Sequence, residues 1–419
     1  MTLDERKLPV DELKVGMYVC RLDRPWEGTP FLLQGVAIES EDDIRVLASL
    51  CTHVYIDIEQ GLAPAGPALH LLEIASSKPV PPRPRWRAYG NDEIAALQGT
   101  AAYPERIEFE HELPQAREAH AQAAAFAKRV LDDVREGRAV AVEEVRSAVE
   151  PMVRSLVRNA DAFLWLDALR ARGAYEYRHA LSCSALAAAF GRHVGLPQDL
   201  LIDLASGGLL LDIGKLRLEP DLLGRSTVYG DDERRRMQAH VDEGLALIDA
   251  GGAVPEHVRD MIRTHHEWID GSGYPRRLEG DAIPLLGRVA AVVDAYDAMT
   301  SERPHQPAAA QHVALQSLYR GRGSQFAAEI VEQFMQCMSV YPIGALVELS
   351  SGEVAIVTAQ NAARRLQPRV MVLTDPDKRV LSHFHSLDLM VRANSDDPVR
   401  IASALAPGAY GLDPVDLFL

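Results

Sequence analysis

The sequence predicts a mostly α-helical protein, with a small α+β module at the N-terminal end and a short β-rich extension at the C-terminal end. Three observations carry that expectation. Apolar residues recur at helical spacing through most of residues 113–338, short β-like runs cluster before residue 75 and after residue 339, and a proline-rich stretch separates the first module from the rest.

In the first module, assigned to residues 1–75, the β-like runs are Met17-Tyr18-Val19-Cys20, Phe31-Leu32-Leu33 and Val54-Tyr55-Ile56-Asp57. Gly16 and Gly28 punctuate them, and the acidic segment 39–45 starts a short helix. Residues 76–86 read Ser-Ser-Lys-Pro-Val-Pro-Pro-Arg-Pro-Arg-Trp. Proline fixes φ and removes a donor, so 76–112 is expected to be an extended linker. The periodic segments that follow are 116–138, 142–158, 179–194, 200–211, 233–249, 255–266, 286–299 and 308–318, joined by loops rich in Gly and Pro. From residue 339 the period changes. Residues 345–349, 354–357 and 370–373 read as strands, the first two joined through Ser350-Ser351-Gly352-Glu353.

Composition narrows the function classes. With 419 residues and 47% apolar content the chain can bury a sizeable core in two or three domains. The acidic balance, 60 Asp+Glu against 44 Lys+Arg, disfavours broad binding to nucleic acid or to an anionic membrane. No apolar run approaches the ~18–20 residues of a membrane span. Residues 1–10 carry acids and a proline where a signal peptide has a basic start and an apolar stretch, so a cytoplasmic location is expected. Cys20, Cys51, Cys183 and Cys337 are scattered without a C-x-x-C pair. Buried reduced thiols are expected, rather than a disulfide framework or a thiolate zinc site.

The informative polar residues are His179, Asp212, His240, His265, His266 and Asp294, spaced roughly 25–33 residues apart when the His pair counts once. One helix and its connection fit that distance, so successive helices could each send a ligand into a shared interior site. Imidazole and carboxylate together suit Fe, Mn, Ni, Co or Zn better than Mg. Taken singly, each residue reads more readily as a satisfied core or surface side chain, and only the set as a whole balances that reading against a metal site.

The neighbourhood is more specific. His265-His266-Glu267-Trp268-Ile269-Asp270-Gly271-Ser272-Gly273-Tyr274-Pro275 resembles the H-H-E-x-x-D-G-x-G-Y-P signature of the HD-GYP family at every fixed position. The resemblance continues through Leu278, Gly280, Ile283, Pro284, Arg288 and residues 294–304. Upstream it takes in Tyr177-Arg178-His179 and Asp212-Ile213-Gly214-Lys215. Its site-bearing core is 175–335, under half the chain. Residues 8–19 are similar to a small domain of unknown function often found ahead of HD-GYP domains.

The resemblance implies an HD-type helical bundle and a metal-dependent phosphodiesterase that opens cyclic di-GMP. His179, Asp212, His240, His265, His266 and Asp294 would hold one or two divalent transition ions, Fe or Mn first, with Ni, Co or Zn as alternatives. Asp212 would bridge them, and Lys215 would supply positive charge as negative charge develops. Tyr274, in the Gly273-Tyr274-Pro275 turn, would meet the ligand and Arg303 would grip a phosphate. Lys215, Arg276, Arg277, Arg288 and Arg303 would form a local basic group, with Arg276 and Arg277 read as a solvated turn. Signalling partners are expected at the N-terminal module. The helices over 116–158 would either buttress the bundle or form a homodimer interface.

Three departures matter. The family's His-Asp pair reads Leu211-Asp212, so one imidazole is missing. One ion would keep Asp212, His240, His265 and His266, whereas the other would have His179, Asp212 and Asp294 with solvent. Reduced hydrolysis follows, or alternatively a degenerate domain that only binds the dinucleotide. Tyr175 stands where members with three metals have a ligating Glu, and Gln306 stands where many carry Lys or Arg.

Overall fold

The computed structural model describes residues 5–23, 36–38, 41–57, 99, 101–169, 175–223, 230–303, 308–361, 364, 366–393, 398–412 and 417. The chain forms two compact units, residues 1–96 with 362–365 and residues 97–361 with 366–419.

The first unit contains β1 (Glu5–Pro9), β2 (Tyr18–Leu22), β3 (Val36–Ala37), α1 (Glu41–Leu50) and β4 (His53–Asp57). The strands make an antiparallel sheet of order β1-β4-β2-β3. Val54 faces Leu8 on one side and Leu22 on the other, and these join Val10, Leu13, Val19, Ile38, Leu47 and Ile56 in one small core. The expected runs at 17–20 and 54–57 and the helix start are present. The run at 31–33, Gly28, the proline-rich segment 76–86 and Gln306 lie outside the described residues.

The second unit opens with α2 (Phe109–Arg135), α3 (Val142–Arg158), α4 (Ala160–Ala168), α5 (Tyr175–His193) and α6 (Gln198–Leu210). A 3-10 turn (Ile213–Arg217) leads to α7 (Pro220–Leu223), α8 (Asp231–Gln238), α9 (His240–Ala250), α10 (Glu256–Thr264), α11 (Leu285–Thr300), α12 (Gln311–Gly321) and α13 (Ala328–Met338). In α3, Val142, Val145, Val149, Met152, Val153 and Leu156 recur at helical spacing and are all buried. Truncating Leu156 to Ala would cost about 2–5 kcal/mol. The buried Glu112 carboxylate of α2 accepts from Ser155 (2.8 Å) and from Arg158 (2.6 and 2.7 Å), which clamps α2 to α3. The Ala-rich run 185–190 on α5 is core, and no helix among the described residues is long and apolar enough to cross a membrane.

Helix bounds differ from the periodicity in several places: α2 starts at Phe109 rather than 116, α5 at Tyr175 rather than 179, and α4 and α13 have no counterpart in it. Asn159 leaves the helical conformation and its side chain accepts from Ala162 N at 3.0 Å, so it caps α4 directly after α3. The expected single helix over 233–249 is broken at Ala239 into α8 and α9.

The C-terminal part adds β5 (Leu346–Leu349), β6 (Val354–Ala359), β7 (Arg369–Thr374), β8 (Val380–Asp388), α14 (Leu389–Arg392) and β9 (Ile401–Ala404). They form an antiparallel sheet of order β8-β7-β6-β5-β9. Residues 354–357 of β6 are all buried, so the central strand is covered on both faces. Gln360 N donates to Asp161 Oδ2 (2.6 Å), and Gly344, at φ 83°, lies where a Cβ would come within 2.6 Å of Ala168 Cβ. The sheet therefore packs on α4 within the same unit as the helices.

Candidate metal centre

Two close backbone approaches build the centre. Gly208 near the end of α6 presses on α5, where a Cβ would lie 2.5 Å from Cys183 O. Gly214 in the 3-10 turn presses on the start of α9, where a Cβ would lie 1.9 Å from His240 O. Between them sit Leu211 and Asp212, so the carboxylate is held against both α5 and α9. Leu211 is 1% exposed and belongs to the apolar core.

The structure gathers all six His and Asp residues singled out by their spacing. Asp212 faces two groups. Its Oδ1 lies 3.4 Å from His240 Nε2 and 3.7 Å from His265 Nε2, and its Oδ2 lies 3.2 Å from His179 Nε2. His179 Nε2 is also 3.1 Å from Asp294 Oδ1, and His266 Nδ1 is 3.9 Å from Asp294 Oδ2. Lys215 Nζ donates to Asp212 Oδ2 at 2.5 Å.

The proton positions around His240 and His265 are informative. His240 Nδ1 lies 2.7 Å from Met237 O, and His265 Nδ1 lies 2.9 Å from Ile262 O. A carbonyl only accepts, so both rings carry a proton on Nδ1, and each in its neutral form presents a bare Nε2. Those two nitrogens are 3.4 Å apart, and Asp212 Oδ1 beside them is buried with no hydrogen-bond partner among the described residues. Three lone pairs thus converge without a donor, an arrangement that a cation would relieve. The spacings fit one as well: donors about 2.0–2.3 Å from a tetrahedral ion lie roughly 3.3–3.8 Å apart.

Electrostatics agree with this donor character. Burial pushes His240 down to about 4 and, with the neighbouring His265, holds His266 well below the usual histidine range. Burial also opposes ionisation of Asp212, but the Lys215 charge and the hydrogen bond from His179 outweigh it and keep the carboxylate charged. Asp294 is likewise held down, against burial, by its hydrogen bond to His179 and the charges around it. Lys215 is half-buried, and against that partial burial Asp212 and Asp294 keep it protonated.

Two side chains that the spacing argument did not single out join the centre. Asp297 Oδ2 lies 2.6 Å from His179 Nδ1, and Cys183 Sγ lies 3.7 and 3.8 Å from the two nitrogens of the same ring. Both have a signal in the sequence: Asp297 is three residues after Asp294 and Cys183 four after His179, so each shares a helix face with a ligand candidate. Two groups of donor atoms result, Asp212 with His240, His265 and His266, and His179 with Cys183 and Asp294.

The Gly-Tyr-Pro turn folds back on the paired histidines. Gly273 permits this, because a Cβ there would come within 2.3 Å of Trp268 N. Tyr274 N donates to His266 O (3.0 Å), and its ring stacks on His266 with centroids 4.6 Å apart. The buried Glu267 accepts from Arg276 N (2.7 Å) and Leu278 N (2.9 Å), so this carboxylate holds the turn around the cis Tyr274-Pro275 bond. Tyr175 stacks on His179 at 5.2 Å, with the Arg303 guanidinium 4.9 Å from the Tyr175 ring centre.

The expected basic group is smaller than the sequence suggested. Arg288 is committed to Ile283 O (2.8 Å), Asp281 (2.9 Å) and Glu329 (3.5 Å), and Arg276 pairs with Asp242 (3.6 Å). Lys215 and Arg303 remain at the centre, close enough for each to feel the other's charge.

Comparison with known proteins bears on this arrangement. Residues 163–330 match the HD domain family, and residues 5–145 match a family described as a domain of unknown function (DUF3391). The chain is 30% identical over 410 residues to "Cyclic di-GMP phosphodiesterase PA4108" of Pseudomonas aeruginosa, which spans 97% of this chain and 94% of the relative. It is 30% identical over 168 residues to "3'3'-cGAMP-specific phosphodiesterase 2" of Vibrio cholerae, spanning 40% of this chain and 31% of that one. Against "Cyclic di-GMP phosphodiesterase response regulator RpfG" of Xanthomonas campestris it is 32% identical over 154 residues, spanning 36% and 41%. An HD domain implies a divalent metal ion, and the donor set described above fits one.

Proposed function

The chain belongs to the HD-GYP family of HD-domain proteins, and from that premise we propose that it is a metal-dependent phosphodiesterase acting on cyclic di-GMP. The observation that carries this reading is the convergence of Asp212 Oδ1 with the bare Nε2 atoms of His240 and His265, three buried acceptors without a donor.

In this reading His179, Asp212, His240, His265, His266 and Asp294 hold one or two divalent transition ions, with Asp212 between the two groups. Such ions polarise a phosphoryl oxygen and lower the pKa of a bound water. The remaining work falls to the protein. Main-chain carbonyls fix the His240 and His265 rings, which keeps the donors in place without reorganisation. Lys215, protonated beside Asp212, sets positive charge where the phosphate gains negative charge in the transition state. Tyr274, braced on His266, offers a ring to a guanine base, and Arg303 offers a guanidinium to a phosphate. Gly273 and Pro275 shape the turn that carries Tyr274. Water opens one phosphodiester to a 3′-hydroxyl and a 5′-phosphate, giving the linear dinucleotide.

Leu211 favours a second reading, a receptor that binds the dinucleotide and passes the signal on without hydrolysis. We place reduced hydrolysis ahead of it because Lys215 and the whole Gly-Tyr-Pro turn are retained, and a bare scaffold needs neither. Turnover of cyclic di-GMP by protein purified under low oxygen separates the two. Linear product that disappears in Asp212→Ala supports the enzyme; saturable binding with no product supports the receptor. A cytoplasmic location and signalling partners at the N-terminal unit complete the proposal.

A further inference from the structure

We propose that the second unit carries a binding site for a guanine nucleoside, in a cavity walled in part by Asp297. The cavity has a volume of about 500 Å³, within the ~300–1,000 Å³ range of small-molecule sites. Helices α4, α5, α11 and α12 surround it, and the ends of β5 and β9 border it on the sheet side. Leu164, Leu186 and Leu346 give it an apolar body. It is separate from the metal donors. Asp297 meets His179 at Nδ1, whereas Asp212 and Asp294 meet the same ring at Nε2.

Three buried polar atoms of the lining side chains have no hydrogen-bond partner among the described residues: Arg178 Nε, Tyr296 Oη and Gln311 Oε1. Their neighbouring atoms are anchored. Gln311 Nε2 donates to Ile343 O (3.2 Å), which fixes the amide with its oxygen left over, and Arg178 Nη2 reaches Glu302 O (3.4 Å). A buried polar group without a partner costs free energy, and this one cavity collects three. To satisfy them takes an acceptor for Arg178, a donor for Gln311 and either kind for Tyr296. A lactam edge, with N–H beside C=O, supplies that pair. Asp167 adds a further acceptor. Its oxygens take Ser182 Oγ (2.8 Å) and His120 Nε2 (3.3 Å), and each keeps a lone pair. Arg178 precedes Ser182 by one turn of α5, so the guanidinium and the Ser182-bound carboxylate share one face of the wall. Guanine has the matching pattern: O6 and N7 accept, N1–H donates beside O6, and the 2-amino group donates again. Adenine has an acceptor at N1 instead, and uracil has no amino group. The hydrolysis proposed above releases guanine nucleotides, so the inference rests on that reading for the source of its ligand.

Calorimetric titration of the full-length chain with guanosine tests this, because a nucleoside has no phosphodiester to hydrolyse and no phosphate for the ions. Saturable binding of one equivalent is expected. Affinity should be at least about tenfold weaker for adenosine, and also for guanosine with Gln311→Leu. Inosine, which lacks the amino group facing Asp167, should fall between the two nucleosides. Tyr296→Phe removes a single hydroxyl and carries the same test should Gln311→Leu fold poorly. Tyr274→Ala separates the cavity from the metal centre, and guanosine binding is expected to persist in it. No binding of guanosine, equal affinity for adenosine, or binding lost in Tyr274→Ala but kept in Gln311→Leu and Tyr296→Phe overturns the proposal. Turnover of cyclic di-GMP decides the enzymatic reading separately, so either can fail alone.

Discussion

The two halves of the centre share Asp212 and, at a longer distance on the His266 side, Asp294. Around Oδ1, His240, His265 and His266 form an all-imidazole group, and main-chain carbonyls fix two of the rings. Around Oδ2, His179 is held at Nδ1 by the Asp297 carboxylate, stacks on Tyr175 and has Asp294 and Cys183 beside it. Burial leaves His240 neutral. His179, despite the same burial, is raised well above the usual range by Cys183 and its hydrogen bonds to Asp212, Asp294 and Asp297. A neutral imidazole is ready to bind an ion, whereas a charged one must first lose a proton. The first half is therefore prepared for a metal. The second is prepared only when an ion replaces the proton among its carboxylates.

The comparison can be broken at its shared member. Asp212→Ala removes the carboxylate from both halves, so metal content and hydrolysis should fall together, the rate by at least about a hundredfold. Metal analysis beside a turnover assay checks this, and retention of both properties would dissolve the two-sided account. The next largest effect is a gain. Leu211→His restores an imidazole next to Asp212 and should raise the rate about tenfold or more, with a second ion bound. An unchanged rate would mean that the leucine is not what limits the second half.

Asp297→Asn sharpens the contrast. It weakens the hold on His179 Nδ1 while leaving His240 and His265 alone, so affinity should fall about 10–100-fold at one position only. Two-phase metal titration resolves that. Glu267→Ala addresses the turn instead of the ions. It strands the N–H groups of Arg276 and Leu278, costing about 1–3 kcal/mol for each group kept from water, visible as a lower melting temperature with metal content unchanged.

The smallest effect is expected outside both halves. Burial pushes Asp161 up to about 7, against its hydrogen bond from Gln360 N. Its proton is held more tightly in the folded chain, so its contribution to stability is full below pH ~4 and lost as pH rises through about 7. Asp161→Asn should flatten that decline in a series of melting curves, by of the order of 2–4 °C at pH 8.

Much of this centre was legible in the sequence because its members carry rare chemistry at helix-length spacing. His179, Asp212, His240, His265, His266 and Asp294 stand out as polar residues on otherwise apolar helical segments. Asp297 and Cys183 did not, since one reads as a second acid on a helix and the other as an ordinary core thiol. Only packing shows that both face His179. Helix α4 was missed because its residues are apolar almost all round, leaving no stripe to detect, and it follows α3 after a single capping residue. Strand β8 was missed for the opposite reason. Residues 380–388 are largely exposed on a sheet edge and include Ser382, His383, His385 and Ser386, so they give no apolar run. Arg288 counted in the local basic group by its charge and motif position, but its partners Asp281 and Glu329 show it as a brace.

The most direct test of the central claim is the rate of linear dinucleotide formation from cyclic di-GMP, measured on samples loaded with graded amounts of metal. The rate is expected to rise in proportion to bound metal and to vanish in Asp212→Ala at every loading. Turnover that ignores metal content, or fully loaded protein that binds the dinucleotide and forms no product, would contradict it.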